Sequence, residues 1–185
     1  MSLVDVSTRP GSDASGEASG LPRFAAIDIG TNTVKMTIAA RQPDGTLLHL
    51  QDAGATPRLG MGIHEAVLSE AAMARTLSVL RQCLDLCRKE GVQQVVAVGT
   101  SALRDARNRD DFVQRCREIG LDVEILTGDD EAHLSALAVR SDPHWRAAPY
   151  IVVFDIGGGS TEIVFDDLSR MEQTRASLQL GAVRV

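Results

Sequence analysis

The 185-residue chain predicts an α/β protein of two related lobes, the first complete and the second only opened. Three observations lead there. A strand-ending Asp-Ile-Gly occurs at Asp28-Ile29-Gly30 and again, 127 positions later, at Asp155-Ile156-Gly157. From the first copy onward, apolar patterning gives the order β-β-β-α-β-α-β-α. From the second copy it gives strands with no following helix, which cannot cover both faces of their own sheet.

The elements follow in order. Residues 1–21, rich in Ser, Gly, Asp and Ala, bury too little to offset the entropy of ordering and predict a disordered tail. The first lobe spans 22–145. It opens with a three-stranded meander, Phe24 to Asp28, Val34 to Ala40 and, after the Pro43-Asp44-Gly45 turn, Leu47 to Gln51. A Gly-rich loop through Gly62 leads to Ser69, an N-cap for a helix ending near Glu90. Met73, Leu77, Leu80, Leu84 and Cys87 form its buried stripe, and Gly91 stops it. Then come a strand over Val92 to Val98, a helix after Asn108 carrying Phe112, Val113, Cys116 and Ile119, and a strand over Val123 to Leu126. A third helix opens at Thr127 and runs through Val139. The second lobe, 146–185, offers strands from Tyr150 to Asp155, Thr161 to Phe165 and Met171 to Leu180 and stops unfinished, so the chain reads as a portion of a longer protein. Trp145 reads as a packing residue between the lobes.

Composition sets bounds. A hydrophobic content of 44% is enough for a real core, while a net charge of −6 argues against wholesale capture of nucleic acid. No apolar run approaches the roughly 20 residues of a membrane span, and the start lacks a signal-peptide layout, so no membrane partner and a cytoplasmic location are expected. Cys83, Cys87 and Cys116 lack metal-ligand spacing and read as buried reduced thiols.

Each Asp-Ile-Gly copy reads as a β-hairpin with a phosphate-sized turn. The glycine supplies backbone angles closed to other residues and lets peptide N–H groups face an anion. The Asp at the strand end can hold a divalent cation directly or through water. Three glycines in a row at 157–159 exceed what a turn needs and imply close backbone approach to a ligand. Two such hairpins imply half-sites closing on one phosphorylated ligand.

Four motifs in order sharpen this: Ala25-Ala26-Ile27-Asp28-Ile29-Gly30-Thr31-Asn32-Thr33; Gly99-Thr100-Ser101-Ala102-Leu103-Arg104 with Asn108; Gly128-Asp129-Asp130-Glu131-Ala132; and Asp155-Ile156-Gly157-Gly158-Gly159-Ser160-Thr161-Glu162. Together they resemble the exopolyphosphatase and guanosine pentaphosphate phosphohydrolase family. That family belongs to the actin-like phosphotransferases, so the resemblance implies the actin-like (ribonuclease H-like) ATPase fold. Thr33, Asp130 and His133 stand where the family more often has Ser, Glu and Arg.

The resemblance implies a Mg²⁺-dependent hydrolase of inorganic polyphosphate or guanosine pentaphosphate. Glu131 then resembles the glutamate that activates the attacking water, and Glu162 a second carboxylate near metal and water. Asp28 and Asp155 become the Mg²⁺ anchors. Gly30, Thr31, Asn32, Thr33, Gly157, Gly158, Gly159, Ser160 and Thr161 supply neutral donors to phosphate, with Arg104 as the cationic clamp. Plainer readings stand beside these: Asp129 to Glu131 suit any helix start, and Arg104 to Arg109 suit a solvated surface. Two rival functions remain at this stage, a non-hydrolysing polyphosphate or alarmone sensor and an actin-like kinase or ATPase. Uncovered strand faces in the second lobe leave room for a homodimer.

Overall fold

The structure is a computed structural model that describes residues 2–5, 20–61 and 66–183. Residues 1 and 6–19 of the expected tail, and Gly62 of the Gly-rich loop, lie outside them.

A six-stranded sheet organises the first lobe. Strands β1 (Val4–Asp5), β2 (Arg23–Ile29), β3 (Val34–Arg41), β4 (Leu47–Ala55), β5 (Gln94–Gly99) and β6 (Val123–Ile125) stand in the order β1-β4-β3-β2-β5-β6. β2, β3 and β4 form the expected antiparallel meander, whereas β5 runs parallel to β2 and β6 parallel to β5. The parallel pairs follow from the helices that intervene, since a crossover returns the chain in the same direction. β1 corrects the reading of residues 1–21 as a wholly disordered tail. Val4 and Asp5 pair with Gly54 and Ala53 at the edge of β4, and Leu3 N–H donates to Gln82.

Period-two patterning decides what the sheet buries. Val34, Met36, Ile38 and Ala40 of β3 face inward with Ile27 and Ile29 of β2. Helix α1 (Glu70–Lys89) covers them with Met73, Leu77, Leu80, Cys83, Leu84 and Cys87, the stripe its spacing predicts. Ser69 caps it by accepting from Ala72 N–H, Glu70 and the pair Arg88 and Lys89 suit its dipole, and Gly91 at φ +66° terminates it. All three cysteines are buried and unbridged, and burial pushes the Cys83 and Cys116 thiols up to about 12. That keeps them protonated and unreactive. A short helix α2 (Ser101–Asp105), not foreseen, follows β5 directly; α3 (Arg109–Glu118) then adds Phe112 and Cys116 to the core.

Helix α4 (Gly128–Ser141) begins at Thr127 with a complete capping box, as Thr127 and Asp130 each satisfy the other's backbone N–H. Its packing differs from expectation. The reading that closes the first lobe at residue 145 assigns α4 to that lobe, yet α4 lies on the second sheet, made of β7 (Tyr150–Ile156), β8 (Thr161–Asp167) and β9 (Glu172–Leu178). Ala132 and Ala136 pack with Val164 and Val153, the small residues letting helix and sheet approach closely. Arg140 fastens the far end: its guanidinium donates to Asp166 Oδ2 at 2.7 Å and to the carbonyls of Trp145 and Ala148. At the near end Arg175 of β9 reaches Asp129 at 2.8 Å.

The opposite face of the second sheet is bare, with Tyr150, Val152, Phe154, Ile156 and Phe165 exposed along alternate positions. Trp145, expected to pack between lobes, is half exposed, and its ring meets the neighbouring His144 ring edge-on. No helix among the described residues is long and apolar enough to cross a membrane.

Candidate active site

The two Asp-Ile-Gly copies fold alike. In each, a four-residue loop joins antiparallel strands, with Ile29 opposite Val34 in one and Ile156 opposite Thr161 in the other. Gly30 N–H donates to Thr33 O at 2.9 Å, and Gly157 N–H donates to Ser160 O at the same distance. Each loop is propped from outside. Arg58 and Gly60 N–H donate to Asn32 and Thr31 carbonyls, and Ala182 and Val183 N–H donate to those of Gly157 and Gly158.

The glycines are needed for a reason other than backbone angle. None of Gly30, Gly157, Gly158 and Gly159 has positive φ. What they provide is room. A Cβ on Gly158 would crowd Thr31 and Asn32, and one on Gly159 would strike Ser101 Oγ and Thr31 Oγ1. The close approach inferred from three successive glycines is therefore first an approach of the two hairpins to each other.

Between them lies a polar cleft of about 150 Å³, room for roughly five waters. Of the expected site residues, Asp28, Gly30, Thr31, Asn32, Thr33, Glu131, Asp155, Gly157, Gly158, Gly159 and Ser160 line it. Three do not. Thr161 turns its hydroxyl to Leu180 O at 2.6 Å. Glu162 is 1% exposed, stands opposite Ser177 of the neighbouring strand β9 and accepts from its Oγ at 2.8 Å. Arg104 donates through Nη1 to Glu131 Oε2 at 2.9 Å and to Leu126 O at 3.2 Å, and so braces the glutamate from behind. Lys35, Thr100 and Ser101 line the cleft and were missed. Lys35 was findable: strand alternation puts it on the same face as Thr33 and directly opposite Asp28.

The electrostatics follow from placement. Burial raises the Asp28 carboxyl above the ordinary range; Lys35 across the strand pair opposes this, and the Asp155 charge adds to it. Burial likewise raises Glu131, the Arg104 hydrogen bond and charge pull it down, and Glu162 and Asp28 push it up again. Four carboxylates thus feel one another within one small region. Asp28 Oδ1 and Thr31 Oγ1 are buried with no hydrogen-bond partner among the described residues. An orphaned carboxylate oxygen beside a second carboxylate suits a hard divalent cation, which takes oxygen ligands. Among the described residues no three His, Cys, Asp or Glu converge as a complete ligand set, so Asp28 and Asp155 would share the ion with water.

Comparison with known proteins agrees with this arrangement. Residues 38–185 match the Ppx/GppA phosphatase family. Exopolyphosphatase 2 of Mycobacterium tuberculosis is 36% identical over 175 residues, covering 89% of this chain and 54% of the relative. Exopolyphosphatase 1 of Mycobacterium bovis is 32% identical over 165 residues, covering 88% and 47%. The chain spans about half the length of the curated relatives it matches. Among solved structures, the Aquifex aeolicus Ppx/GppA family member superposes with TM-score 0.74 at 35% identity, covering 87% of this chain and 52% of that one. An exopolyphosphatase from Cytophaga hutchinsonii does so with TM-score 0.77 at 30% identity, covering 88% and 52%. The expected actin-like α/β fold is borne out by these likenesses. On sequence and fold alike, the chain belongs to the Ppx/GppA phosphatase family.

Proposed function

We propose that this chain carries the phosphate-holding and water-activating machinery of a Mg²⁺-dependent phosphohydrolase. It would release terminal phosphate from inorganic polyphosphate, with guanosine pentaphosphate as the alternative substrate. The observation that carries the reading is the single cleft in which Glu131, Asp28 and Asp155 meet both glycine hairpins. A terminal phosphoryl group needs neutral or positive donors around its equatorial oxygens and a placed water in line with the leaving oxygen. Backbone amides of the two loops, the hydroxyls of Thr31, Thr33 and Ser160, and the Lys35 ammonium are the donors available. Arg104 acts through Glu131 in this reading, and Lys35 takes the role of cation in the cleft.

Glu131 takes the proton from water. Burial raises its affinity for that proton, while Arg104 favours the ionised form and fixes its direction. Asp28 and Asp155 would hold Mg²⁺, which would supply positive charge to the phosphate oxygens.

The test is phosphate release from polyphosphate, guanosine pentaphosphate and ATP by the full-length protein, with and without Mg²⁺. Metal-dependent release from one of the first two is expected, lowered about 10²–10⁴-fold by Glu131→Gln with the fold unchanged. Tight binding without release would favour a sensor, ATP-driven transfer to an acceptor would favour a kinase, and full activity in Glu131→Gln would remove Glu131 from the mechanism.

A further inference from the structure

We propose that Ser135 is a positioning residue that sets how Asp155 meets a divalent cation in the cleft. The inference rests on the phosphohydrolase reading only in assuming that the cleft takes such an ion. Ser135 lies on α4 one turn beyond Glu131, so the two side chains share a helix face. Its Oγ donates to Asp155 Oδ2 at 2.5 Å.

Asp155 stands next to last in β7 as an exposed residue, and an exposed carboxylate near a strand end has several orientations open to it. A bond from a hydroxyl fixed on a helix selects one of them. It also occupies one carboxylate oxygen and leaves the other for a cation or its water. Because the donor is neutral, the full negative charge of Asp155 is retained.

Asp28 is held differently. Its cross-strand neighbour is Lys35, whose ammonium offsets the carboxylate charge, and its Oδ1 has no hydrogen-bond partner among the described residues. Of the two carboxylates, Asp155 is thus oriented by a hydrogen bond and Asp28 is balanced by a charge. Ser135 also ties orientation to the base: through one turn of helix, the side chain that aims Asp155 is rigidly spaced from Glu131.

Partners that orient a metal-binding side chain change metal affinity about 10–100-fold when removed. The experiment is calorimetric titration of Mn²⁺, in place of Mg²⁺, into the wild-type chain, Ser135→Ala and Ser135→Thr. Circular dichroism in chelator checks that all three are folded. Expected is affinity weakened about tenfold in Ser135→Ala and restored in Ser135→Thr. Unchanged affinity in folded Ser135→Ala, or failure of Ser135→Thr to restore it, overturns the proposal while leaving the phosphohydrolase reading standing. A wild-type chain that binds no Mn²⁺ also overturns it. Ser135-dependent binding in a full-length protein that releases no phosphate would do the reverse, sinking the hydrolase reading and keeping Ser135 in its role.

Discussion

Arg104 Nη1 stands 2.9 Å from Glu131 Oε2, and each side chain is only 17% exposed. Two opposed effects meet at that glutamate. Burial makes its charged form costly, and the guanidinium makes the charged form favourable. The net direction is upward: burial, joined by the charges of Glu162 and Asp28, outweighs the arginine.

That balance is testable by pH. A base works ionised, so the rate falls as pH drops through its pKa. Removing Arg104 deletes the influence that lowers Glu131, and Arg104→Met is expected to move the acid limb of kcat/KM to higher pH. Arg104→Lys, which keeps a charge but loses the planar fork, is expected to move it less. A limb that stays in place in Arg104→Met would show that another group sets it.

Asp28 gives a prediction about stability. Its folded-state pKa is raised, so the folded protein binds this proton more tightly than the unfolded chain does, and the ionised group costs stability at neutral pH. Asp28→Asn should melt a few degrees above wild type at pH 7 in chelator. The gap should narrow as pH falls and wild-type Asp28 takes up its proton. A variant less stable than wild type at pH 7 would contradict this.

Gly159 tests the contact between hairpins. With no positive φ to strain, Gly159→Ala acts only through its methyl, which meets Ser101 and Thr31. A cost of about 1–3 kcal/mol, as for overpacking, and reduced phosphate release are expected. A second substitution, Ser101→Gly, should recover part of both. Gly45→Ala is the control: its φ of +87° is strained for alanine but its surroundings are open, so it should lower the melting temperature without touching activity.

Much of this was legible because it is local. The alternation in β3, the four-and-three spacing of α1, the Ser69 cap and the helix start at Thr127 depend on neighbours in sequence, and all formed as read. So did the repeat, since a hairpin carries its own closing bond. Contacts across long separations were not legible. Arg104 reads as a clamp for phosphate because nothing in its own segment announces a carboxylate 27 positions away. Glu162 reads as a cleft residue, yet β8–β9 pairing sets it beside Ser177, from whose hydroxyl it accepts. The host of α4 was equally hidden: Ala132 and Ala136 are small enough for either sheet, and Arg140 with Asp166 decides which.

Because α4 rides on the second sheet, the chain crosses from the β1–β6 sheet to the unit that carries Glu131 through the peptide from Leu126 to Gly128. Glu131, Ser135 and Asp155 thus belong to the unit of α4 and the second sheet, and Arg104, Asp28 and Lys35 to the first. The ion pair behind the base is a clasp between lobes.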